Sequence, residues 1–97
     1  MSTFILAGDF GGTKSILSIY ESNRQPIKIH EKKYISSEWK NCFSLINDYL
    51  VNLPSSIKKP SIAVFAVAGP VFNNNSKMTN LNWTFQKDKL QLELGIE

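Results

Sequence analysis

The residues best suited to chemistry lie together near the start of the chain, in residues 7–14 (AGDFGGTK). Asp9 lies near the end of an apolar run, and its carboxylate is costly to desolvate there unless it is paired, hydrogen-bonded or close to a metal. Gly11 and Gly12 carry no Cβ, so a phosphate can approach their backbone N–H groups closely, and Thr13 adds a hydroxyl beside them. The stretch therefore predicts either a site for Mg²⁺ and nucleotide phosphate or a structural hairpin with a satisfied aspartate.

Strand-like runs flank this stretch on both sides, at residues 4–7 (FILA) and residues 15–20 (SILSIY). A Gly-Gly pair between two such runs favours a tight hairpin, because such turns need positive φ. The spacing excludes two other phosphate-binding motifs. A Walker loop has wider glycine spacing and ends in Gly-Lys-Ser/Thr before a helix, and the glycines of a Rossmann fingerprint open a helix.

The composition is that of one small globular domain, with 97 residues, 42% of them hydrophobic, and a formal net charge of +3. The lysines are scattered and do not alternate with aromatic residues, which argues against a nucleic-acid partner. No apolar run approaches the length of a membrane span and no leader pattern opens the chain, so we expect no membrane partner and a cytoplasmic protein. The single cysteine, Cys42, is predicted to be a core thiol, and His30 is given no role.

The segments after the hairpin predict a third strand and a helix. Residues 27–35 largely alternate between apolar and polar types, which completes an antiparallel meander of three strands. The pair at residues 36–37 offers a serine N-cap, with Glu38 in the first helical turn. Apolar residues then follow at helical spacing as far as Leu53, and Pro54 ends the helix.

The second half of the chain predicts a strand, a hairpin and a second helix. Residues 61–68 are an almost unbroken apolar run, which favours a strand covered on both faces and parallel to an earlier one. Residues 71–79 predict a hairpin or tight loop. Trp83 is predicted to pin a loop, and residues 87–94 predict a helix with Gly95 as its C-cap.

Three stretches resemble the bacterial glucokinases, which belong to the hexokinase, actin and Hsp70 superfamily of ribonuclease-H-like folds. Residues 6–14 (LAGDFGGTK) resemble the start of these enzymes, and residues 66–71 (AVAGPV) resemble the segment after their fourth strand. Residues 77–83 (KMTNLNW), with the following helix, resemble a third stretch at similar spacing. The resemblance implies an α/β fold of the actin-like ATPase type, with an antiparallel meander of three strands, a parallel strand and flanking helices.

The resemblance also implies an activity, the transfer of the γ-phosphoryl group of ATP to the 6-hydroxyl of glucose. The resemblance implies that Asp9 holds Mg²⁺ through water. Asn80 lies on a stretch that the family places near the sugar. The nucleotide-binding residues implied are Gly8, Asp9, Phe10, Gly11, Gly12 and Thr13.

The chain departs from the family pattern at its C-terminal end. In the family, the catalytic aspartate lies in an Asn-Asp-Phe motif on the strand after the Leu-Gly helix, and this chain ends at Glu97, before such a motif. Residues 47–49 (NDY) look similar but fall in the middle of the predicted helix, where we expect surface polar residues. We therefore predict that residues 1–97 are the N-terminal small lobe of a sugar kinase, truncated and inactive alone, with no catalytic residue present.

Other functions remain open from the sequence. The Gly-Asp-x-Gly-Gly-Thr pattern is shared by several sugar kinases, so another hexose or N-acetyl-hexosamine kinase is an alternative. A sugar-responsive repressor would carry a winged-helix segment ahead of Gly8, where only a few residues stand. A non-catalytic binding module is the third alternative. In that case, and in a truncated lobe, we expect a homo-oligomer formed through the exposed sheet edge.

Overall fold

The computed structural model describes residues 3–67, 71–72, 75–78 and 83–96. Seven strands and two α-helices lie in these ranges, with a single 3₁₀ turn at Ser36–Glu38. The strands are β1 (Thr3–Phe10), β2 (Lys14–Ser22), β3 (Pro26–Ile35), β4 (Ile62–Val67), β5 (Val71–Phe72), β6 (Asn75–Met78) and β7 (Trp83–Gln86). The helices are α1 (Cys42–Val51) and α2 (Lys87–Leu94).

The main sheet has the strand order β3-β2-β1-β4. Its first three strands pair antiparallel, and β4 pairs parallel to β1, after the crossover through α1. The predicted meander and the predicted parallel strand are therefore confirmed. In this arrangement β1 is a central strand, so its C-terminal end, which leads into the glycine pair, is fixed by a neighbour on each side.

Helix α1 begins later than the serine pair predicts. Its N-cap is Asn41, whose side chain accepts a hydrogen bond from the backbone N–H of Ser44 at 2.8 Å, while Ser44 Oγ accepts from the backbone N–H of Asn41 at 3.3 Å. This reciprocal capping box satisfies two N–H groups at once. The predicted N-cap at residues 36–37 is wrong, because Ser36 is buried and bonded elsewhere.

The core lies between one face of the main sheet and α1. Side chains of alternate residues on β1 and β2 meet the apolar face of the helix, as the period of two along a strand requires. Cys42 is buried there, so the predicted core thiol is confirmed. The fully buried apolar residues of this layer are Leu6, Phe10, Leu17, Ile19, Leu45 and Ile46.

Strand β4 is covered on one face only within the described part of the chain. Val64 is 60% exposed and Ile62 is 41% exposed, and both lie on the face away from α1. The prediction of a strand covered on both faces is therefore wrong for these residues. The unbroken apolar run has a second, uncovered side that periodicity alone does not reveal.

The second sheet has the order β5-β6-β7 and leads into α2. Phe72 pairs with Asn75, which confirms the predicted hairpin. Trp83 begins β7 and is 2% exposed, so the prediction that it lies in a loop is wrong, although its burial agrees. Helix α2 ends as predicted at Gly95, which has a φ of 66° and donates its N–H to Gln91 O at 3.0 Å.

Candidate functional site

The turn between β1 and β2 consists of residues 11–13. The Gly11 N–H donates to Lys14 O at 2.9 Å and closes the turn. Neither glycine of the pair has a positive φ, since Gly95 alone among the described glycines does. The expected reason for the glycines is therefore wrong. Position 11 requires glycine for a steric reason instead, because a Cβ there would lie 2.9 Å from Lys14 O.

Two residues of the predicted nucleotide site face the core. Phe10 is 0% exposed and its ring packs against Phe65 at 5.4 Å between centroids. A Cβ on Gly8 would lie 2.6 Å from Phe10 Cε2 and 2.8 Å from Phe65 Cδ1. Gly8 and Phe10 can therefore reach a nucleotide only through their backbone atoms.

Asp9 lies on the opposite face of β1, where it is exposed to solvent. Its neighbours across the sheet are Ile16 on β2 and Ala66 on β4. In the part of the chain that the structure describes, no side chain is bonded to this carboxylate. The expectation of a desolvated carboxylate that needs a partner is therefore not met, because Asp9 is hydrated and available to a ligand.

The accessible groups at this end of the hairpin fit a Mg²⁺–phosphate ligand. Thr13 and Lys14 are exposed and Gly12 is half-buried. Mg²⁺ is usually coordinated by one or two carboxylates together with waters and substrate phosphates, and the single exposed carboxylate of Asp9 is consistent with such coordination. Among the described residues, no three or more His, Cys, Asp or Glu side chains are grouped so that they could hold a metal ion by themselves.

A buried pair of serines supports the turn, and sequence reasoning missed it. Ser36 Oγ donates to Gly11 O at 2.8 Å, and the Ser36 N–H donates to Thr13 O at 3.0 Å. Ser15 Oγ lies 2.7 Å from Ser36 Oγ. The only signal in the sequence is a serine at an inward-facing strand position, which does not identify its partner.

The residues that resemble the catalytic motif belong to a contact between α1 and β3. Asp48 Oδ2 accepts a hydrogen bond from Tyr34 Oη at 3.0 Å, and Tyr49 Oη lies 2.8 Å from His30 Nδ1. Burial raises the pKa of Tyr49 to about 12. Asn47 is exposed and Asp48 is partly exposed, whereas Tyr49 is buried, so the expectation of surface polar residues is wrong for Tyr49.

Some of the residues singled out from the sequence lie outside the described part of the chain. Asn80, the expected sugar-side residue, is one of them, and so are residues 68–70. The predicted site residues therefore remain predictions, with a described position for Gly8 to Thr13 alone. Within the described residues, no helix is long and apolar enough to cross a membrane.

Comparisons with known proteins agree with the resemblance. The Glucokinase family model matches residues 6–97. A glucokinase of Nostoc sp. (strain PCC 7120) is 43% identical over 98 residues, which cover 97% of this chain and 28% of the relative. A glucokinase of Synechocystis sp. (strain PCC 6803) is 33% identical over 108 residues, which cover 99% of this chain and 30% of the relative.

A solved structure extends the agreement to the fold. The crystal structure of a glucokinase from an Antarctic psychrotroph matches with a TM-score of 0.85 and 25% identity, over 96% of this chain and 30% of that one. The predicted fold class is thereby confirmed. The chain spans less than a third of the length of these relatives. From the matching family model and these relatives, the chain belongs to the glucokinase family.

Proposed function

We propose that residues 1–97 form the phosphate-binding small lobe of an ATP-dependent glucokinase, which phosphorylates the 6-hydroxyl of glucose. The observation that supports this best is the exposed end of the β1–β2 hairpin, where the carboxylate of Asp9 and the hydroxyl of Thr13 are both accessible. The names of the relatives support glucose as the sugar. Because the chain spans less than a third of the length of these relatives, we expect the 97 residues not to turn over alone.

Each group at the hairpin has a part in this proposal. Asp9 holds Mg²⁺ through water, and the backbone N–H of Gly12 binds phosphate oxygens together with the Thr13 hydroxyl. Gly11 shapes the turn, since its own N–H is bonded to Lys14 O. Gly8 and Phe10 contribute through their backbone. When bound, Mg²⁺ neutralises charge on the phosphates, and the rest of the catalysis is positioning of the γ-phosphoryl group.

The sugar side of the proposal depends on Asn80, which is assigned by resemblance alone. Other hexoses and N-acetyl-hexosamines are the competing substrates, and a panel of sugars at equal concentration distinguishes them. The expected cytoplasmic location stays a prediction.

A chimera tests the proposal. Residues 6–97 replace the matching segment of the Nostoc sp. glucokinase, to which they are similar over their whole length. We expect ATP-dependent formation of glucose 6-phosphate. Asp9→Asn in the chimera should lower kcat/KM by about 100-fold or more, because it removes the charge that holds Mg²⁺.

The matched control is Asp88→Asn, which removes an exposed carboxylate from the first turn of α2. This variant should keep the activity of the chimera within about twofold, since a single surface charge at a helix N-terminus has a small effect. A folded chimera with no activity would contradict the proposed function. Equal losses in the two variants would contradict the role of Asp9.

A further inference from the structure

One buried residue holds two carbonyl groups of the β1–β2 turn. Ser36 follows the last residue of β3 and is 0% exposed. Its hydroxyl donates to Gly11 O at 2.8 Å and its N–H donates to Thr13 O at 3.0 Å. The two carbonyl groups belong to the residues before and after Gly12. Both bonds therefore hold the same short segment of backbone.

Ser15 completes this arrangement. A hydroxyl has one hydrogen to donate, and Ser36 gives its hydrogen to Gly11 O. The 2.7 Å contact between the two hydroxyls must therefore be a bond donated by Ser15 Oγ to Ser36 Oγ. Ser15 is also 0% exposed, so water does not compete for it. Ser15 and Ser36 are called the serine clasp below.

The serine clasp fixes the direction of two backbone N–H groups. The described peptide bonds are all trans, and a carbonyl and the N–H that follows it point in opposite directions across a trans peptide. Because Gly11 O points to Ser36, the Gly12 N–H points away from it. The bond to Thr13 O turns the Lys14 N–H away in the same manner. Both N–H groups therefore point away from Ser36, and N–H groups that a turn holds in a fixed direction can bind an anion.

We propose that Ser36 is a positioning residue for phosphate, which acts through the serine clasp and never touches the nucleotide. The clasp presents the N–H groups of Gly12 and Lys14 to a nucleotide phosphate, and so adds the Lys14 amide to the binding groups. This inference rests on the proposed function, whose hairpin it makes more specific. Its two parts, an ordered turn and phosphate binding, are measured separately.

The order of the turn is measured in the 97-residue chain by ¹⁵N relaxation, with Ser36→Ala, Ser15→Ala and the double variant. We expect an order parameter of about 0.85 at Gly12 and Thr13 in the unchanged chain and below about 0.6 in Ser36→Ala. Ser15→Ala should leave the turn ordered, because the bond from Ser36 to Gly11 remains.

Thermal unfolding separates this effect from simple destabilisation. Each single variant leaves one buried hydroxyl short of a bond, so each should melt at a lower temperature. The double variant removes both hydroxyls and should melt no lower than Ser36→Ala, yet its turn should stay disordered. A merely structural role predicts instead that order in the turn follows the melting temperature.

Phosphate binding is measured in the glucokinase chimera. Ser36→Ala should raise the KM for ATP by about tenfold and change the KM for glucose by less than about twofold. An ordered turn in Ser36→Ala would overturn the inference. A disordered turn with an unchanged KM for ATP would overturn it too, because the clasp would then be structural only.

An inactive chimera with unchanged serines gives a different result. It would contradict the proposed function, and the phosphate part of the inference would be lost with it. The relaxation data would still show whether Ser36 orders the turn, so the two failures are distinguishable.

Discussion

At the residue scale, some residues of the glycine-rich motif pack in the core while others are exposed at the surface. Side chains alternate across β1, so Gly8 and Phe10 face the core while Asp9 faces solvent. Gly8 leaves the space that the rings of Phe10 and Phe65 occupy. The motif is therefore required by packing even before any ligand is considered, and only part of it is free to bind.

Cys42 provides a pH dependence at this scale. Burial raises the pKa of its thiol from 9.0 to about 11. As the pH rises through this interval, the unfolded chain loses the thiol proton while the folded chain keeps it. We expect the free energy of unfolding to have its full value below pH 9.0 and to fall as the pH rises towards about 11.

Urea denaturation at a series of pH values measures this effect. Cys42→Ala should unfold with a smaller dependence on pH over the same interval, because it has no thiol to titrate. Tyr49 adds a similar loss only at higher pH, since its pKa starts from 10.0. An identical slope in the alanine variant would contradict the assignment.

At the element scale, α1 owes its start to a pair of polar side chains. The capping box of Asn41 and Ser44 satisfies N–H groups that have no partner within the helix. Within the helix, the period of 3.6 residues sets which apolar side chains face the sheet. It also places Asp48 and Tyr49 against β3.

Asn41→Ala should lower the free energy of unfolding by about 1 kcal/mol, because alanine cannot accept the bond from the Ser44 N–H. The same substitution at Asn47, an exposed position inside α1, is the matched control and should not destabilise the chain, since alanine is the better helix former. Urea denaturation measures both. Equal losses at the two positions would show that the cap is not needed.

At the scale of the whole molecule, β4 is a candidate surface for association. It is one of the two edge strands of the main sheet, and Val64 and Ile62 are exposed on it. A second copy of the chain can pair with this edge, or cover the sheet face on which both side chains lie. We expect sedimentation velocity to show self-association that increases with concentration.

Val64→Lys should shift this equilibrium towards the monomer, because a charge at the edge opposes pairing. Lys33→Ala, an exposed change on β3, is the comparison at the other edge of the sheet and should leave association unchanged. A chain that stays monomeric at high concentration would contradict this prediction.

The sequence predicts the order of elements well because that information is local. Alternation identified β3, helical spacing identified α1, and Gly95 marked the end of α2. The uncovered face of β4 escaped prediction, since an apolar run does not say what packs on each side. The bond from Ser36 to Gly11 escaped as well, because it joins residues 25 positions apart and leaves no local pattern.

The bonds from Ser36 to the turn also constrain the order of folding. The β1–β2 hairpin is made of neighbouring segments, whereas its turn is held by a residue that follows β3. Closing the longer loop carries a larger entropic penalty than closing the hairpin. The two strands can therefore pair early. The bonds from Ser36 to the turn form only after the third strand has docked.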